Sequence, residues 1–168
     1  AEALREFITG KERVIVMGHK MADVDSFGAA IGIYRAASAM KKKVNIVLND
    51  ISVTLRPLYE AFTDDPKYPD DLFVTSHEAE DNTMVVVVDT NKPKMTECER
   101  LLRLTKTIAV LDHHRQSDEV IENAVLSYIE PYASSACEMV AEVLQYIGDD
   151  LRLNSMEANS MYAGILVD

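Results

Sequence analysis

No apolar stretch in this 168-residue chain approaches the roughly 20 residues that a helix needs to cross a bilayer. Cysteine is scarce. Cys98 and Cys137 match no CxxC or zinc-ligand pattern, and no signal peptide precedes them, so reduced thiols are the expectation. Positive charge is in the minority, with 17 Lys and Arg against 28 Asp and Glu and a net charge of -11. No dense Lys/Arg patch relieves that balance, so long nucleic acid and anionic membrane are not expected as electrostatic partners. An anionic substrate would need local positive charge, and bound metal ions can supply it. The GxGxxG fingerprint is missing too. Gly28 and Gly32 fall inside a helical pattern and read as packing positions, so a dinucleotide cofactor is not indicated. Internal repeats, low-complexity tracts and clear linkers are also absent. The chain opens on Ala1 and stops at Asp168 just after an apolar run, which reads as a piece of a longer protein.

The residues that are present suffice for one domain. Apolar types make up 48% of the chain, enough for a sizeable core. Leu4, Phe7 and Ile8 predict a lead-in helix over Ala1–Ile8. Strands are predicted at Arg13–Met17, Lys43–Leu48, Asp71–Val74, Met84–Val88 and Thr107–Leu111, with a further strand or extended segment at Val125–Ile129. Four consecutive valines, Val85 to Val88, fit a strand buried on both faces. Helices are predicted at Asp25–Met40, Leu55–Phe62, Thr96–Leu104 and Ser134–Ile147. Asn154 and Glu157 resemble a capping pair for a last helix. Strands alternating with helices predict an α/β fold, doubly wound, with a mainly parallel sheet and helices on both faces.

The chemistry-bearing residues collect where apolar segments end. Val14–Met17 runs into Gly18-His19, followed by Asp23 and Asp25. Met84–Val88 runs into Asp89, and Thr107–Leu111 into Asp112-His113-His114. A last apolar segment, Ala163–Val167, ends at Asp168. Three of the four histidines therefore follow apolar segments; the fourth, His77, lies outside every motif and reads as a loop residue. In open parallel sheets, ligands bind outside the carboxyl ends of the strands. Carboxylates and imidazoles converging there suit divalent metals. His19, Asp23, Asp25, Asp89, His113 and Asp168 are ligands enough for two ions. Asp23 or Asp25 also suits the cap of the following helix.

This set resembles the DHH phosphoesterase superfamily, which includes RecJ-type exonucleases, nanoRNA and pAp phosphatases, and family II inorganic pyrophosphatases. Several stretches are similar, more narrowly, to bacterial GdpP-type cyclic-di-AMP phosphodiesterases. They are Met17-Gly18-His19-Lys20, Gly28 to Gly32, Val86-Val87-Val88-Asp89-Thr90, Leu111-Asp112-His113-His114-Arg115, and the run from Ile121 through Ser135. Met21-Ala22 departs from the Asn-Pro pair common in the superfamily, which affects loop stiffness but removes no ligand.

The resemblance implies that His19, Asp23 and Asp89 hold one ion, and that Asp25, Asp89, His113 and Asp168 hold a second, with Asp89 bridging. Manganese is the implied ion. Asp112 would orient a histidine and His114 would face the substrate phosphate. Arg115, Ser134 and Ser135 are candidate substrate contacts; a surface salt bridge for Arg115 and helix capping for the serines are the plainer readings. The implied reaction is hydrolysis of cyclic di-AMP to linear pApA by a water activated between the two ions. Residues 1–168 would form the catalytic domain of a longer protein whose substrate-binding domain follows downstream. The parent would be anchored in the cell membrane with this domain on its cytoplasmic face, and a homodimer is compatible with it. Two other readings stand beside this one: a nanoRNA or pAp phosphatase of the same superfamily, and a metal-binding regulatory module without turnover.

Overall fold

The computed structural model describes residues 1–167 apart from Glu78, Asp149 and Asp150. In chain order the elements are α1 (Glu2–Thr9), β1 (Arg13–Met17), α2 (Val24–Ala39), β2 (Lys43–Val47), α3 (Arg56–Thr63), β3 (Phe73–Val74), β4 (Thr83–Val88), a 3-10 turn (Pro93–Met95), α4 (Leu101–Leu104), β5 (Ile108–Asp112), β6 (Leu126–Ile129), α5 (Ala136–Ile147) and α6 (Ser155–Val167). The strands form one sheet in the order β3-β2-β1-β4-β5-β6, and every pairing is parallel. The chain winds outward from β1 in one direction and then from β4 in the other. The gap between the carboxyl ends of β1 and β4 is therefore the topological switch point, where such sheets bind ligands.

The two faces of the sheet are covered unequally. Val14, Val16, Val44, Ile46, Val86, Val88 and Leu111 pack into the larger core with the long helices. The alternate residues Ile15, Met17, Val47, Val85, Val87 and Val110 face a smaller cluster closed by Leu101 and Leu102 of α4. The reason lies in the connections. The β4–β5 crossover carries only the four-residue α4, and no helix is described between β5 and β6. Helices do lie on both faces, as expected, but most of the mass is on one.

Helix α2 is buried nearly all round, because it is sandwiched between the sheet and the pair α5 and α6. A Cβ on Gly28 would come within 2.6 Å of the Cys137 Sγ and of the Ser160 carbonyl oxygen, and one on Gly32 within 2.6 Å of Val140. Close helix packing is thus what these glycines serve. The Asn154–Glu157 pair forms a reciprocal cap: the Glu157 amide donates to Asn154 Oδ1 at 2.9 Å, and the Asn154 amide to Glu157 Oε1 at 3.1 Å. Glu157 also takes Arg35 in a bidentate pair and the Tyr68 hydroxyl at 2.7 Å, which ties α6 to α2 and to the segment before β3.

Two expectations need correction. The helix predicted over Thr96–Leu104 is confined to Leu101–Leu104. Tertiary pairing claims its first residues: Thr96 bridges His19 in antiparallel fashion, and the Glu97 amide donates to the Gly18 carbonyl at 3.0 Å. The apolar segment Ala163–Val167, grouped above with the strand ends, is the last turn and a half of helix α6.

Candidate metal centre

The loop after β1 presents His19. Its Nδ1 donates to the Lys20 carbonyl oxygen at 2.9 Å, which fixes the orientation of the ring. Its Nε2 then sits 3.2 Å from Asp89 Oδ2 and 3.6 Å from Asp23 Oδ1. Asp23 is also the N-cap of α2, accepting from the Ser26 amide at 2.8 Å. The two roles weighed for it in the sequence are compatible, since a carboxylate has lone pairs for both.

Asp89 follows β4 with φ at 64°, in the left-handed region that Asp tolerates better than most residues. That turn aims its carboxylate between two imidazoles. Oδ2 faces His19, while Oδ1 lies 3.1 Å from His113 Nε2. A Cβ on Gly18 would collide with the Ser26 hydroxyl and come within 3.3 Å of the Val88 carbonyl oxygen, so the β1 loop passes close against both α2 and β4.

Asp25 is 1% exposed, and both its oxygens are engaged. Oδ2 accepts from the Ala136 amide at 2.9 Å and Oδ1 from the Cys137 amide at 2.8 Å, so the carboxylate sits on the N-terminus of α5. Oδ2 is also 3.6 Å from His113 Nε2. His113 thus stands between Asp25 and Asp89.

Asp112 is fully buried at the end of β5. Its Oδ1 accepts from the His113 amide at 2.9 Å and lies 2.7 Å from His114 Nδ1. The histidine that Asp112 holds by its ring is therefore His114. The two imidazoles lie 4.3 Å apart, tilted by 40°. His114 and Arg115 line a cleft of about 580 Å³ together with His19, Asp23, Asp89, Asp112, His113, Thr90, Asn91, Lys92, Met95 and Ser134. Ser134 is exposed there, its hydroxyl donating to Glu138 Oε2 at 2.6 Å. Ser135 is buried and caps α5 by accepting from the Glu138 amide. Asp168 lies outside the described residues. Val167, the last described residue of α6, lines a neighbouring groove with Asp23 and Asp25.

Two donor sets emerge: His19, Asp23 and Asp89, and Asp89, Asp112, His113 and His114, each with its ligand atoms within 4.8 Å of one another. In the second set Asp112 is taken up by three donors, which leaves Asp89, His113 and the exposed His114. Hydrogen bonds donated to Asp23 and then to Asp89 push the His19 imidazole up to about 11. Burial pushes the Asp23 carboxyl up, but His19 and the Ser26 amide outweigh it and hold it below its usual value. A cation is what this crowd of carboxylates wants, and the His19 proton fills that need in the metal-free protein. Mixed carboxylate and imidazole donors with one carboxylate shared between them fit a pair of divalent ions.

Asn91, Lys92 and Glu97 were not singled out in the sequence. Asn91 and Lys92 follow Asp89 on the same strand-end loop, so the strand-end rule that nominated Asp89 reaches them too. Glu97 is held above its usual value by burial, and its Oε2 accepts from Asn49 Nδ2 at 2.8 Å. Only the tertiary bridge to His19 betrays its place.

This fold and this donor set define a DHH-type domain, and residues 13–165 match the DHH family, N-terminal domain; the chain belongs to that family. It is 42% identical to the cyclic-di-AMP phosphodiesterase GdpP of Bacillus subtilis, over the whole chain and 26% of that protein. It is 35% identical to the cyclic-di-AMP phosphodiesterase PdeA of Listeria monocytogenes, again over the whole chain and 26% of that protein. The chain thus spans about a quarter of the length of these relatives. The fold is shared with an exopolyphosphatase-related protein from Bacteroides fragilis, with a TM-score of 0.76 at 17% identity over 99% of this chain and 48% of that one.

Proposed function

We propose that this chain is the metal-holding domain of a phosphodiesterase that opens cyclic di-AMP to linear pApA. The observation that carries the reading is the Asp89 carboxylate spanning the His19 and His113 imidazoles at 3.2 and 3.1 Å. His19, Asp23 and Asp89 are assigned to one ion. Asp25, Asp89, His113 and Asp168 are assigned to the other. The donor chemistry favours Mn²⁺. Two such ions, when bound, lower the pKa of a water and neutralise charge on the phosphate.

The chain's own residues do the rest. Asp89 holds both sites in one register. Asp112 fixes the His114 ring at the cleft wall with Nε2 toward the phosphate, the placement from which the imidazole exchanges a proton with the reacting oxygen. Arg115 and Lys92 bring positive charge to a cleft whose lining includes Asp23, Asp89 and Asp112. The substrate-gripping domain is assigned to the part of the longer protein downstream of this chain, and the parent's anchorage in the cell membrane is part of the same reading.

The test uses the longer protein at saturating Mn²⁺, with initial rates on cyclic di-AMP, pApA and pAp. Preference for cyclic di-AMP is expected. Preference for pAp or short RNA would replace the reading with the phosphatase alternative. Bound metal with no turnover of any of them would leave a regulatory module. The chain alone should turn over far more slowly than the longer protein, because positioning accounts for several kcal/mol of a barrier. Equal kcat/KM for the two would refute the need for a second domain.

A further inference from the structure

We infer that Asn91 is a positioning residue for His114, acting through Asp112; the claim rests on the phosphodiesterase reading above. Asn91 is 3% exposed and two residues past Asp89. Its Nδ2 donates to Asp112 Oδ2 at 2.6 Å and lies 3.4 Å from the His114 carbonyl oxygen. One amide group therefore braces both ends of the Asp112-His113-His114 turn.

The geometry makes this brace consequential. Asp112 Oδ1 already receives the His113 amide and the His114 ring, so Asn91 is what occupies Oδ2. Without it the carboxylate is free to turn about its terminal torsion, which is broad. The His114 side chain is 56% exposed. Its tilted contact with His113 and an Asp89 oxygen 4.0 Å from Nδ1 are looser, and the Asp112 carboxylate at 2.7 Å is its hydrogen-bond partner. Donation from Nδ1 to that carboxylate keeps the ring proton on Nδ1 and leaves Nε2 as the nitrogen open to the cleft.

The Asn91 amide cannot be turned the other way, because its carbonyl would then meet a carboxylate oxygen. In the observed sense Oδ1 is buried with no hydrogen-bond partner. Asn91 gives its donor to Asp112 while its acceptor goes unpaired. Its backbone carbonyl also accepts from the Ile121 amide at 3.0 Å, which fastens the loop after the His-His pair to the same residue.

The test is a double-substitution cycle in the longer protein loaded with Mn²⁺, comparing Asn91→Ala, His114→Ala and the pair. Asn91→Ala should lower kcat on the order of 10-fold, the range seen when outer partners of a site are removed. KM and the number of bound ions should stay unchanged. In the His114→Ala background the same substitution should cost nothing more. Full kcat in Asn91→Ala, or an undiminished loss in the His114→Ala background, would overturn the inference. Should Asn91→Ala fail to fold, Asn91→Ser, which keeps a hydroxyl donor, enters the same cycle, and its loss must likewise vanish without His114.

A second readout needs no turnover. In ¹⁵N spectra of the metal-free protein, His114 should be protonated on Nδ1 in the wild type and a mixture of tautomers in the variant. A proton on Nε2 in the wild type, or a spectrum indifferent to Asn91, would refute the positioning role. Failure of the phosphodiesterase reading would show separately, as a wild type that leaves cyclic di-AMP intact.

Discussion

Replacing Asp25 by alanine should destabilise the metal-free protein far more than the same change at its neighbour Asp23. The carboxylate joins the first turn of α2 to the first turn of α5 across 111 residues of sequence, through amide bonds of 2.9 and 2.8 Å. Each hydrogen bond to a charged group contributes about 1.5–3 kcal/mol net, and truncation leaves both amides buried without an acceptor. Relief of repulsion among the neighbouring carboxylates offsets part of that loss. The net cost is about 3 kcal/mol, equivalent to a Tm lowered by about 6–12 °C for a chain of this length. Asp23→Ala is the control. Its side chain is 55% exposed and caps one amide, Ser26, so about 1 kcal/mol is expected. Urea unfolding followed by circular dichroism, with chelator present, measures both. Asp25→Asn keeps one acceptor oxygen and should fall between alanine and the wild type. If Asp25→Ala unfolds at the same urea concentration as the wild type, or if Asp23→Ala costs as much, the anchoring argument is wrong.

Metal titration of the wild type should saturate at two ions, with Asp89→Ala weakening both sites and Asp23→Ala mainly one; saturation at a single ion with Asp89→Ala unchanged would sink the shared-carboxylate scheme. Since the His19 imidazole is raised to about 11 in the folded metal-free chain, its contribution to stability is complete below its unfolded value near 6.5 and is lost as pH rises through about 11. Metal must displace that proton, so affinity should climb with pH well above 7, and calorimetry in buffers of different ionisation enthalpy should show release of about one proton per first ion bound. No dependence on buffer would argue that His19 is neutral before metal arrives. Gly28→Ala should destabilise by about 1–3 kcal/mol, because the added Cβ meets a backbone carbonyl at 2.6 Å, whereas Gly148→Ala, with nothing within 4 Å, should leave stability nearly unchanged; equal thermal shifts would count against the packing account.

Much of this architecture can be read from the sequence because its central strands are buried on both faces. Apolar runs such as Met84–Val88 then need no alternation to be recognised, and the residues that follow them fall at the switch point by topology alone. His19, Asp23, Asp89 and His113 converge as the strand-end rule predicts. Other features escape because they depend on partners distant in sequence. Thr96 and Glu97 have a helical pattern, but pairing with the His19 loop overrides it. The strand predicted at Asp71–Val74 is present, and its register against Ile46 and Val47 confines it to Phe73–Val74. Asp25 reads as a ligand or a cap for its own helix, yet it receives the amides of a different helix, which no local pattern discloses. Asn91 has an unremarkable place in the sequence, and its importance comes from a partner, Asp112, 21 residues on.

The left-handed backbone at Asp89 bears on how such a domain changes over evolutionary time. Asn and Gly accept that conformation at least as readily as Asp, whereas β-branched residues do not. A single-nucleotide path from Asp to Asn or Gly therefore meets no backbone strain at this position, although it removes the charge shared by both proposed ion sites. Loss of Asp25, by contrast, would be exposed to selection against instability. A lineage drifting away from turnover would most readily pass through position 89, keeping an intact cleft free to acquire another use. An Asn or Gly there, beside an unaltered Asp25, would be the mark of such a silenced descendant.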